Sequence, residues 1–451
     1  MRDQVDIAIV GAGAAGTLLA DALRRCRSGA TVAVIGAGHP PGRGVAYSTT
    51  DEQHRMNVPV KRLSVDADGS DHLARWSGAD PSEYIPRATY GAYLAEQLAA
   101  SGADVIDARV TTLHPPPRAG DRMRREAVGS DRQLRVGLGD GRVVRAGQVV
   151  LATGPPPGPG PVALPDHPRV LADPWAPELA ERAGAAGDVL VLGTGLTMVD
   201  VALTATAAGA SVTALSRHGW VPRAHPVHRE EPIEPFPLPP GPLTAARVRR
   251  MVVVQGRTEP AGWPAAMDAA RDRADDLWAR LPEAEQAKLL RRGLSAWTVH
   301  RHRMAPAVAE RFSSLARRGL IRVERGTIAS VTADDGGVDV RTRDGRCRRA
   351  GLVVSCTGPS ADVGRTTDPL LRHLLDTGIA ALGPHRLGLA VDPCGRVRGP
   401  DGEVVPGLFT LGLLRKGTLF ETTAVPEIRA QAQALAPLLS REVSPGGPSP
   451  G

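Results

Sequence analysis

The chain has 451 residues, 42% of them hydrophobic, which is typical of a soluble globular protein and long enough for two or three domains. It carries 55 lysines and arginines against 48 aspartates and glutamates, a net charge of +7, and the basic residues are mostly arginines spread along the chain. No recognised nucleic-acid-binding module accompanies this charge, so we expect no nucleic-acid partner. A basic balance suits anionic cofactors and acidic small substrates.

The sequence also lacks the signals of a membrane, secretory or dithiol protein. No segment approaches the roughly 20 apolar residues of a transmembrane helix, and the first predicted strand begins too near the first residue for a signal peptide. We therefore expect a cytoplasmic protein with no membrane partner. The four cysteines, Cys26, Cys347, Cys356 and Cys394, include no Cys-x-x-Cys pair, so neither a redox-active dithiol nor a zinc site is expected.

The first segment has the pattern of a dinucleotide-binding βαβ unit, with strands predicted at 5–10 and 31–36 and a helix at 14–27. In the G-x-G-x-x-G turn, the first glycine allows the tight turn, the second admits phosphates to the backbone, and the third lets the helix pack on the strand. The predicted pyrophosphate contacts are Gly11, Gly13, Ala14 and Gly16. An acidic residue usually ends the second strand and binds the ribose, but Gly36 stands there, so the ribose partner is left open.

Further predicted elements follow from periodicity and turn residues. In chain order they are a loop at 38–44, an amphipathic helix at 88–101, a β-meander within 104–150, a buried strand at 148–152, a proline-rich hinge at 155–161, a second βαβ unit at 189–216, an irregular loop at 222–242, a helical insertion at 243–319, strands within 321–356, a buried strand at 407–412, a helix at 425–440 and a disordered tail from 444. Strands alternating with helices predict an α/β fold.

The second βαβ unit carries a second glycine turn, Gly193 and Gly195, with Met198 in place of the third glycine. Its second strand ends in Ser216, Arg217 and His218, whose hydroxyl, guanidinium and imidazole could bind a 2′-phosphate. The Arg217 guanidinium can contact such a phosphate with two hydrogen bonds. This pattern predicts NADPH rather than NADH. The alternative is a solvated basic loop.

Two strand ends are near twins, each a buried strand that closes on a hydroxyl residue and a glycine: Leu151-Ala152-Thr153-Gly154 and Ser355-Cys356-Thr357-Gly358. Here the chain resembles the two-dinucleotide-binding flavoproteins, in which such a pair marks where the chain crosses between the FAD and NAD(P) domains. In that superfamily a late strand returns to the flavin, and the next helix points its N-terminus at the flavin pyrimidine. The resemblance implies cofactor contacts by Thr153, Gly154, Thr357, Gly358, Gly412, Thr418 and Thr422.

Other segments narrow the resemblance to an FAD/NAD(P)-binding protein family with a long helical insertion: 42–47, His54, 57–59, 297–306 and 417–429. It implies that Arg43 and Asn57 contact the cofactors. The family lies near the class B flavin monooxygenases, which include N-hydroxylating enzymes, and the Baeyer–Villiger fingerprint is absent. Among the characterised relatives of this kind, the resemblance points first to the bacterial aspartate N-hydroxylases, which form nitrosuccinate.

The insertion holds the cationic run 300–303, which gives three tentative substrate-binding residues: Arg301, His302 and Arg303. They could recognise a substrate carboxylate or the NADPH phosphates. Alternatively, residues 300–303 lie on one helix, with two of their four side chains in solvent and the other two packed against the protein. The histidines at 218, 225 and 228 flank a proline-rich loop with Arg223 and Arg229, but their spacing does not support a metal site, and no metal is predicted.

The predicted fold is therefore α/β, with two Rossmann-like dinucleotide-binding domains, a discontinuous FAD domain and a helical insertion. The FAD domain is predicted to comprise a first segment at 1–158 and a second at 331–442. The NADPH domain is predicted at 159–330, with its insertion at about 243–319, and a disordered tail at 443–451.

The resemblance implies an FAD- and NADPH-dependent monooxygenase that uses O₂ to N-hydroxylate a small amine or amino acid, with L-aspartate as the best guess, in bacterial secondary metabolism. No catalytic side chain is identified, because the flavin carries the chemistry. One alternative is an NAD(P)H-dependent flavin oxidoreductase that passes electrons to another acceptor, and a second is a non-catalytic flavoprotein scaffold. Whether the protein is a homodimer stays open.

Overall fold

The computed structural model describes residues 3–443 except 28, 67–68, 70, 117–132, 228–237, 261 and 359–361. The strands are β1 Gln4–Val10, β2 Val32–Gly36, β3 Asp104–Asp107, β4 Val110–His114, β5 Leu134–Leu138, β6 Val143–Leu151, β7 Val170–Leu171, β8 Asp188–Leu192, β9 Ser211–Ser216, β10 Ile321–Arg325, β11 Ile328–Asp334, β12 Gly337–Thr342, β13 Cys347–Ala350, β14 Leu352–Ser355, β15 Arg396–Arg398 and β16 Val404–Thr410.

The α-helices are α1 Ala14–Arg25, α2 Gly44–Tyr47, α3 His72–Ser77, α4 Arg87–Ala100, α5 Leu179–Ala186, α6 Leu196–Ala207, α7 Ala245–Thr258, α8 Gly262–Asp272, α9 Ala274–Ala279, α10 Glu283–Arg292, α11 Leu294–Arg301, α12 Pro306–Arg317, α13 Pro369–Asp376 and α14 Val425–Val443. The predicted helices at 14–27, 88–101 and 425–440 and the predicted helical insertion are all present. The tail predicted from 444 lies outside the described residues.

The first compact unit comprises residues 1–48, 59–158 and 360–451. Its sheet has the order β15-β16-β6-β1-β2-β3, in which β1 runs parallel to β2 and β6, and β4 and β5 extend β6 as an antiparallel meander. The central strands are buried on both faces, as in other parallel sheets, and α1 and α14 contact each other. Its core includes the fully buried Ala8, Ile35, Val149 and Leu408.

The second compact unit comprises residues 49–58 and 159–359. Its main sheet is parallel throughout, in the order β10-β9-β8-β14-β7. A separate antiparallel sheet contains β11, β12 and β13, with a hairpin turn between β11 and β12. Helices α7 to α12 form the predicted insertion between β9 and β10.

The structure differs from the sequence-based prediction in two domain boundaries and in the pairing of one strand. Residues 331–358 were assigned to the flavin domain, but β14 pairs in parallel with β8, and Val338 and Val340 pack with Leu190 in the core of the second unit. Residues 49–58 also belong to the second unit rather than to the first. Strand β3, which was predicted within a meander, pairs in parallel with β2. Each correction depends on a long-range strand pair or contact that local periodicity does not encode.

Candidate dinucleotide-binding sites

The first glycine turn connects β1 to α1 at the carboxyl end of the parallel strands. Gly11 has φ +122°, and a Cβ there would lie 2.2 Å from the Ala152 carbonyl oxygen. A Cβ on Gly16 would lie 2.0 Å from the Gly11 carbonyl oxygen. Both positions therefore require glycine for the fold itself. The turn packs closely against the end of β6, and the first turn of α1 packs closely against the glycine turn.

Gly13 is different, because the protein itself leaves room for a side chain there. Its backbone is extended (φ −93°, ψ −163°), and the nearest atom to a Cβ at this position would be the Gly44 Cα at 3.5 Å, an ordinary contact. Gly13 caps α1 without a side-chain hydrogen bond, and α1 begins at Ala14. The N–H groups of the first helical turn thus face an uncrowded space, which is the arrangement that binds a pyrophosphate.

The structure explains why no acidic residue stands at the end of β2. A Cβ on Gly36 would lie 2.7 Å from both the Cβ and the backbone nitrogen of Ala12, inside the glycine turn. The loop that follows returns to the same turn, where the Gly42 N–H donates to the Ala12 carbonyl oxygen at 2.8 Å. Gly42 in turn lies against α4, where a Cβ would be 2.5 Å from the Ala95 Cα. The approach of Ala12 therefore leaves no room for a side chain at Gly36.

Restoring the usual acid is therefore expected to damage the site. We expect Gly36→Asp to displace the Ala12 turn, to lower stability by roughly 1–3 kcal/mol, as overpacking does, and to weaken FAD binding. Thermal unfolding and the flavin-to-protein absorbance ratio measure both effects. Ala37→Asp is the matched control, because Ala37 follows Gly36 directly, is exposed and already carries a Cβ. A Gly36→Asp protein that binds FAD more tightly than the original would contradict this explanation.

Two predicted flavin-contacting threonines have buried hydroxyls that lack a hydrogen-bond partner among the residues that the structure describes, Thr153 Oγ1 and Thr422 Oγ1. Thr422 is 1% exposed. Buried hydroxyls are seldom left without a partner, so both fit a polar ligand at this edge of the sheet. Gly154 and Gly412 have positive φ and open space where a Cβ would stand. The residues present therefore fit FAD in the first unit.

The remaining residues that the resemblance predicts as cofactor contacts are divided between the two units. Thr418 is half-buried in the segment after β16, and Arg43 lies beside α4, where its Cγ is 3.2 Å from a Cβ built on Gly91. Thr357 and Gly358, by contrast, follow β14 in the second unit, and Asn57 also lies there.

The segment 49–58 that carries Asn57 is anchored by contacts that the sequence did not reveal. Thr204 Oγ1 donates to Asp51 Oδ2 at 2.6 Å and lies 2.9 Å from His54 Nε2. His225 Nε2 donates to the Asn57 carbonyl oxygen at 3.0 Å. Burial alone would raise the pKa of Asp51, but hydrogen bonds from Thr204 and from the Gln53 backbone hold that pKa below its usual value. These contacts fix the backbone at Asn57 within the second unit.

The second glycine turn repeats the construction of the first. Gly193 has φ +104°, and a Cβ there would lie 2.4 Å from the Cys356 carbonyl oxygen, just after β14. Gly11 is packed in the same way against the Ala152 carbonyl oxygen. This shared packing accounts for the twin strand ends in the sequence. Gly195 is extended, caps α6 and has no atom within 4 Å of a Cβ. Met198 is fully buried, so this turn accommodates a side chain where the first needs a glycine.

A cavity of about 250 Å³ lies beside this turn, within the second unit. Its lining residues come from the glycine turn, the end of β9 and the helical insertion: Thr194, Gly195, Leu196, Ser216, Arg217, His218, Trp220, Pro222, Leu294, Ser295, Thr298, Val299 and His302. The structure thus brings together four of the predicted site residues, Gly195, Ser216, Arg217 and His302. Arg217 and His218 are exposed and carry the donors suited to a phosphate.

The hydroxyl of Ser216, which the sequence predicts as a phosphate contact, makes hydrogen bonds within the loop. Thr194 Oγ1 donates to the Trp220 carbonyl oxygen, so its own proton is used. The 2.8 Å contact between the two hydroxyls must then be Ser216 donating to Thr194. Ser216 Oγ also accepts the Gly219 N–H at 3.1 Å. Ser216 therefore shapes the loop, and Arg217 is the residue of this pair that can bind a phosphate.

The cationic run 300–303 is also divided by the structure. Arg303 is 3% exposed, and its guanidinium donates to Asp268 Oδ1 and to the Pro264 carbonyl oxygen, both at 2.9 Å. Arg301 is 7% exposed, and neither arginine lines the cavity. His300 stacks on Trp263, and burial together with the nearby arginines lowers the pKa of His300. Of the three tentative substrate-binding residues, His302 is the one that lines the cavity.

No group of three metal-ligating side chains occurs in the part of the chain that the structure describes, and His228 and Arg229 of the considered loop lie outside it. Among the described residues, no helix is both long and apolar enough to span a membrane.

Residues 8–156 match the model of an FAD-NAD(P)-binding family. Comparison with curated protein sequences gave no significant match. Among solved structures, the ornithine hydroxylase of Pseudomonas aeruginosa in its reduced form is 16% identical, with a TM-score of 0.65 over 98% of this chain and 100% of that one.

Two further solved structures have the same fold. The ornithine N-hydroxylase of Kutzneria sp. 744, with reduced FAD, NADP⁺ and L-ornithine, is 14% identical, with a TM-score of 0.63 over 98% of this chain and 100% of that one. The bacillithiol disulfide reductase of Bacillus cereus is 15% identical, with a TM-score of 0.58 over 97% and 99%. The predicted fold is confirmed: residues 8–156 match the model of an FAD-NAD(P)-binding family, and the whole chain has the fold of the two-dinucleotide-binding flavoproteins.

Proposed function

We propose that this flavoprotein is an FAD- and NADPH-dependent monooxygenase that N-hydroxylates a small amine or amino acid. The observation that carries the proposal is the fold shared with the two ornithine hydroxylases over 98% of the chain, together with two equivalent glycine turns. The overall reaction would convert R–NH₂, O₂, NADPH and H⁺ into R–NHOH, H₂O and NADP⁺.

The residues have separate tasks in this reaction. Bound FAD would accept a hydride from NADPH and deliver the reducing equivalents to O₂. In the first unit, the turn at Gly11 and Gly13 and the N-terminus of α1 hold the pyrophosphate, and the hydroxyls of Thr153 and Thr422 give polar contacts to the flavin. In the second unit, Gly195 leaves space for the nicotinamide dinucleotide at the start of α6, and Arg217 selects its 2′-phosphate.

The substrate class rests on the resemblance to aspartate N-hydroxylases, so L-aspartate is our specific candidate. Arg303 gives no support to the aspartate candidate, because its guanidinium already donates to Asp268 and to the Pro264 carbonyl oxygen instead of facing a substrate carboxylate. The amine must be unprotonated when it is oxidised, and a nearby positive charge would favour that form by lowering the amine pKa.

The fold shared with disulfide reductases raises a second candidate, an NAD(P)H-dependent flavin oxidoreductase with another electron acceptor. The cysteines give little support for disulfide chemistry. Cys356 is buried, which raises the pKa of its thiol far above the ordinary value, and Cys26, Cys347 and Cys394 are exposed free thiols that form no Cys-x-x-Cys pair.

The deciding experiment measures the stoichiometry of the purified, FAD-loaded protein in air. We expect about one hydroxylamine per NADPH with the correct amine, tested with L-aspartate, L-ornithine and L-lysine, and little peroxide. Hydroxylamine is measured colorimetrically and peroxide with a peroxidase assay. Peroxide equal to the NADPH consumed, whichever amine is added, would contradict the monooxygenase and favour the second candidate. A protein whose flavin is not reduced by NADPH or NADH would be a scaffold.

A further inference from the structure

The helical insertion supplies one wall of the cavity beside the second glycine turn. Four of its lining residues lie on α11 and one directly after it: Leu294, Ser295, Thr298, Val299 and His302. The opposite wall is the second glycine turn together with Ser216, at the end of β9, and Arg217, which follows that strand. All of these residues belong to the second unit. A ligand that enters this cavity must therefore contact both the Rossmann-like sheet and the insertion.

An exposed aromatic pair lies at the same cavity. The rings of His218 and Trp220 are stacked, with centroids 4.7 Å apart and planes at 23°. Trp220 is 47% exposed, although tryptophan is usually among the more buried residues. Trp220 therefore has ring surface available, and flat aromatic surfaces of this kind stack readily on nucleobases.

The size and polarity of the cavity fit one end of a dinucleotide. Its volume of about 250 Å³ lies just below the roughly 300–1,000 Å³ of sites for drug-sized ligands, which suits a phosphorylated nucleoside rather than all of NADPH. Arg217 provides a fixed positive charge, and His302 faces the same space from the insertion. Leu294 and Val299 give an apolar surface that suits the faces of an adenine ring.

We propose that the insertion belongs to the NADPH site: the adenine ring stacks on Trp220, and the 2′-phosphate lies between Arg217 and His302. The inference rests on the NADPH use proposed above and extends it, because it assigns one residue of the cationic run 300–303 to the cofactor rather than to the substrate. The inserted helices then determine which nicotinamide cofactor binds, together with the end of β9.

The test uses binding without turnover, so that it does not depend on the oxidation chemistry. Isothermal titration of the FAD-loaded full chain compares 2′,5′-ADP with 5′-ADP as probes. Base–aromatic stacking energies predict that Trp220→Ala weakens both probes by roughly 5- to 150-fold. We expect Trp220→Phe to recover most of this loss. His302→Leu should weaken 2′,5′-ADP by roughly tenfold and leave 5′-ADP nearly unchanged, because leucine keeps the bulk of the side chain but has no donor for the 2′-phosphate.

Each element of the inference has an outcome that overturns it. Unchanged affinity for both probes in Trp220→Ala would exclude the adenine stack. Equal weakening of both probes by His302→Leu would exclude contact with the 2′-phosphate. If the flavin is reduced by NADPH but 2′,5′-ADP does not bind, the inference fails while NADPH use stands. If 2′,5′-ADP binds as expected but no hydroxylamine forms, the monooxygenase proposal fails while the cofactor site stands.

Discussion

Gly13→Val is expected to give a folded protein that contains no FAD. The backbone at Gly13 is extended, a conformation that valine readily adopts, and a Cβ there meets only the Gly44 Cα at an ordinary 3.5 Å. The valine side chain would instead fill the space above the start of α1, where the pyrophosphate is expected. The loss of flavin would then reflect a blocked site rather than a broken fold.

Two glycine substitutions elsewhere separate these effects. Gly11→Ala should impair folding itself, because its Cβ would lie 2.2 Å from the Ala152 carbonyl oxygen at a φ of +122°. Gly195→Val is the matched control, since Gly195 occupies the corresponding place in the second turn and has no atom within 4 Å of a Cβ. We expect it to retain FAD but to lose reduction by NADPH.

The measurement is the flavin absorbance per protein after gel filtration, with circular dichroism as the test of folding. Gly13→Val should be colourless with the helical signal of the original protein. Full flavin content in Gly13→Val would show that the pyrophosphate does not lie at this turn. Loss of flavin in Gly195→Val would show that the two glycine turns do not bind separate cofactors.

Arg217→Ala is expected to raise the KM for NADPH by roughly tenfold to a hundredfold and to leave the KM for NADH almost unchanged. Hydrogen bonds to charged groups contribute about 1.5–3 kcal/mol, and each 1.4 kcal/mol corresponds to tenfold in affinity. Arg217 is exposed at the cavity, so solvent screening places the effect towards the lower end of this range. NADH has no 2′-phosphate and cannot lose this contact.

The kinetics of flavin reduction by each cofactor, measured without oxygen, test this prediction. Arg318→Ala is the matched control, because Arg318 is exposed in the same unit, follows α12 and does not line the cavity. It removes the same charge and should change neither KM. A similar rise for both cofactors in Arg217→Ala would mean that Arg217 supports the loop rather than the 2′-phosphate.

Local signals in the sequence were enough to predict both βαβ units, because a strand, a glycine turn and a helix are encoded by neighbouring residues. The twin Thr-Gly strand ends were also informative, since Gly11 and Gly193 each pack against the end of the neighbouring strand in the same way. The helical insertion followed from its periodicity. These features predicted the fold and the two candidate cofactor sites.

The roles of single polar side chains could not be predicted in the same way. Ser216 looked like a phosphate donor, but its proton is used by Thr194, which lies in another turn. Arg303 looked like a substrate residue, but Asp268 and Pro264, on a different helix of the insertion, bind its guanidinium. Which partner a side chain finds depends on elements far away in the chain.

The sequence by itself determined two glycine turns with the pattern of dinucleotide-binding sites and an α/β fold, because backbone conformation at glycine is a local property. Only the tertiary structure decided why Gly36 replaces the usual acid, since the constraint is the approach of Ala12 from the neighbouring turn. It also placed 331–358 beside β8 and brought His302 to the cavity at Arg217. Those arrangements come from strand pairing and packing between segments distant in sequence, whose contacts no single stretch of the chain contains.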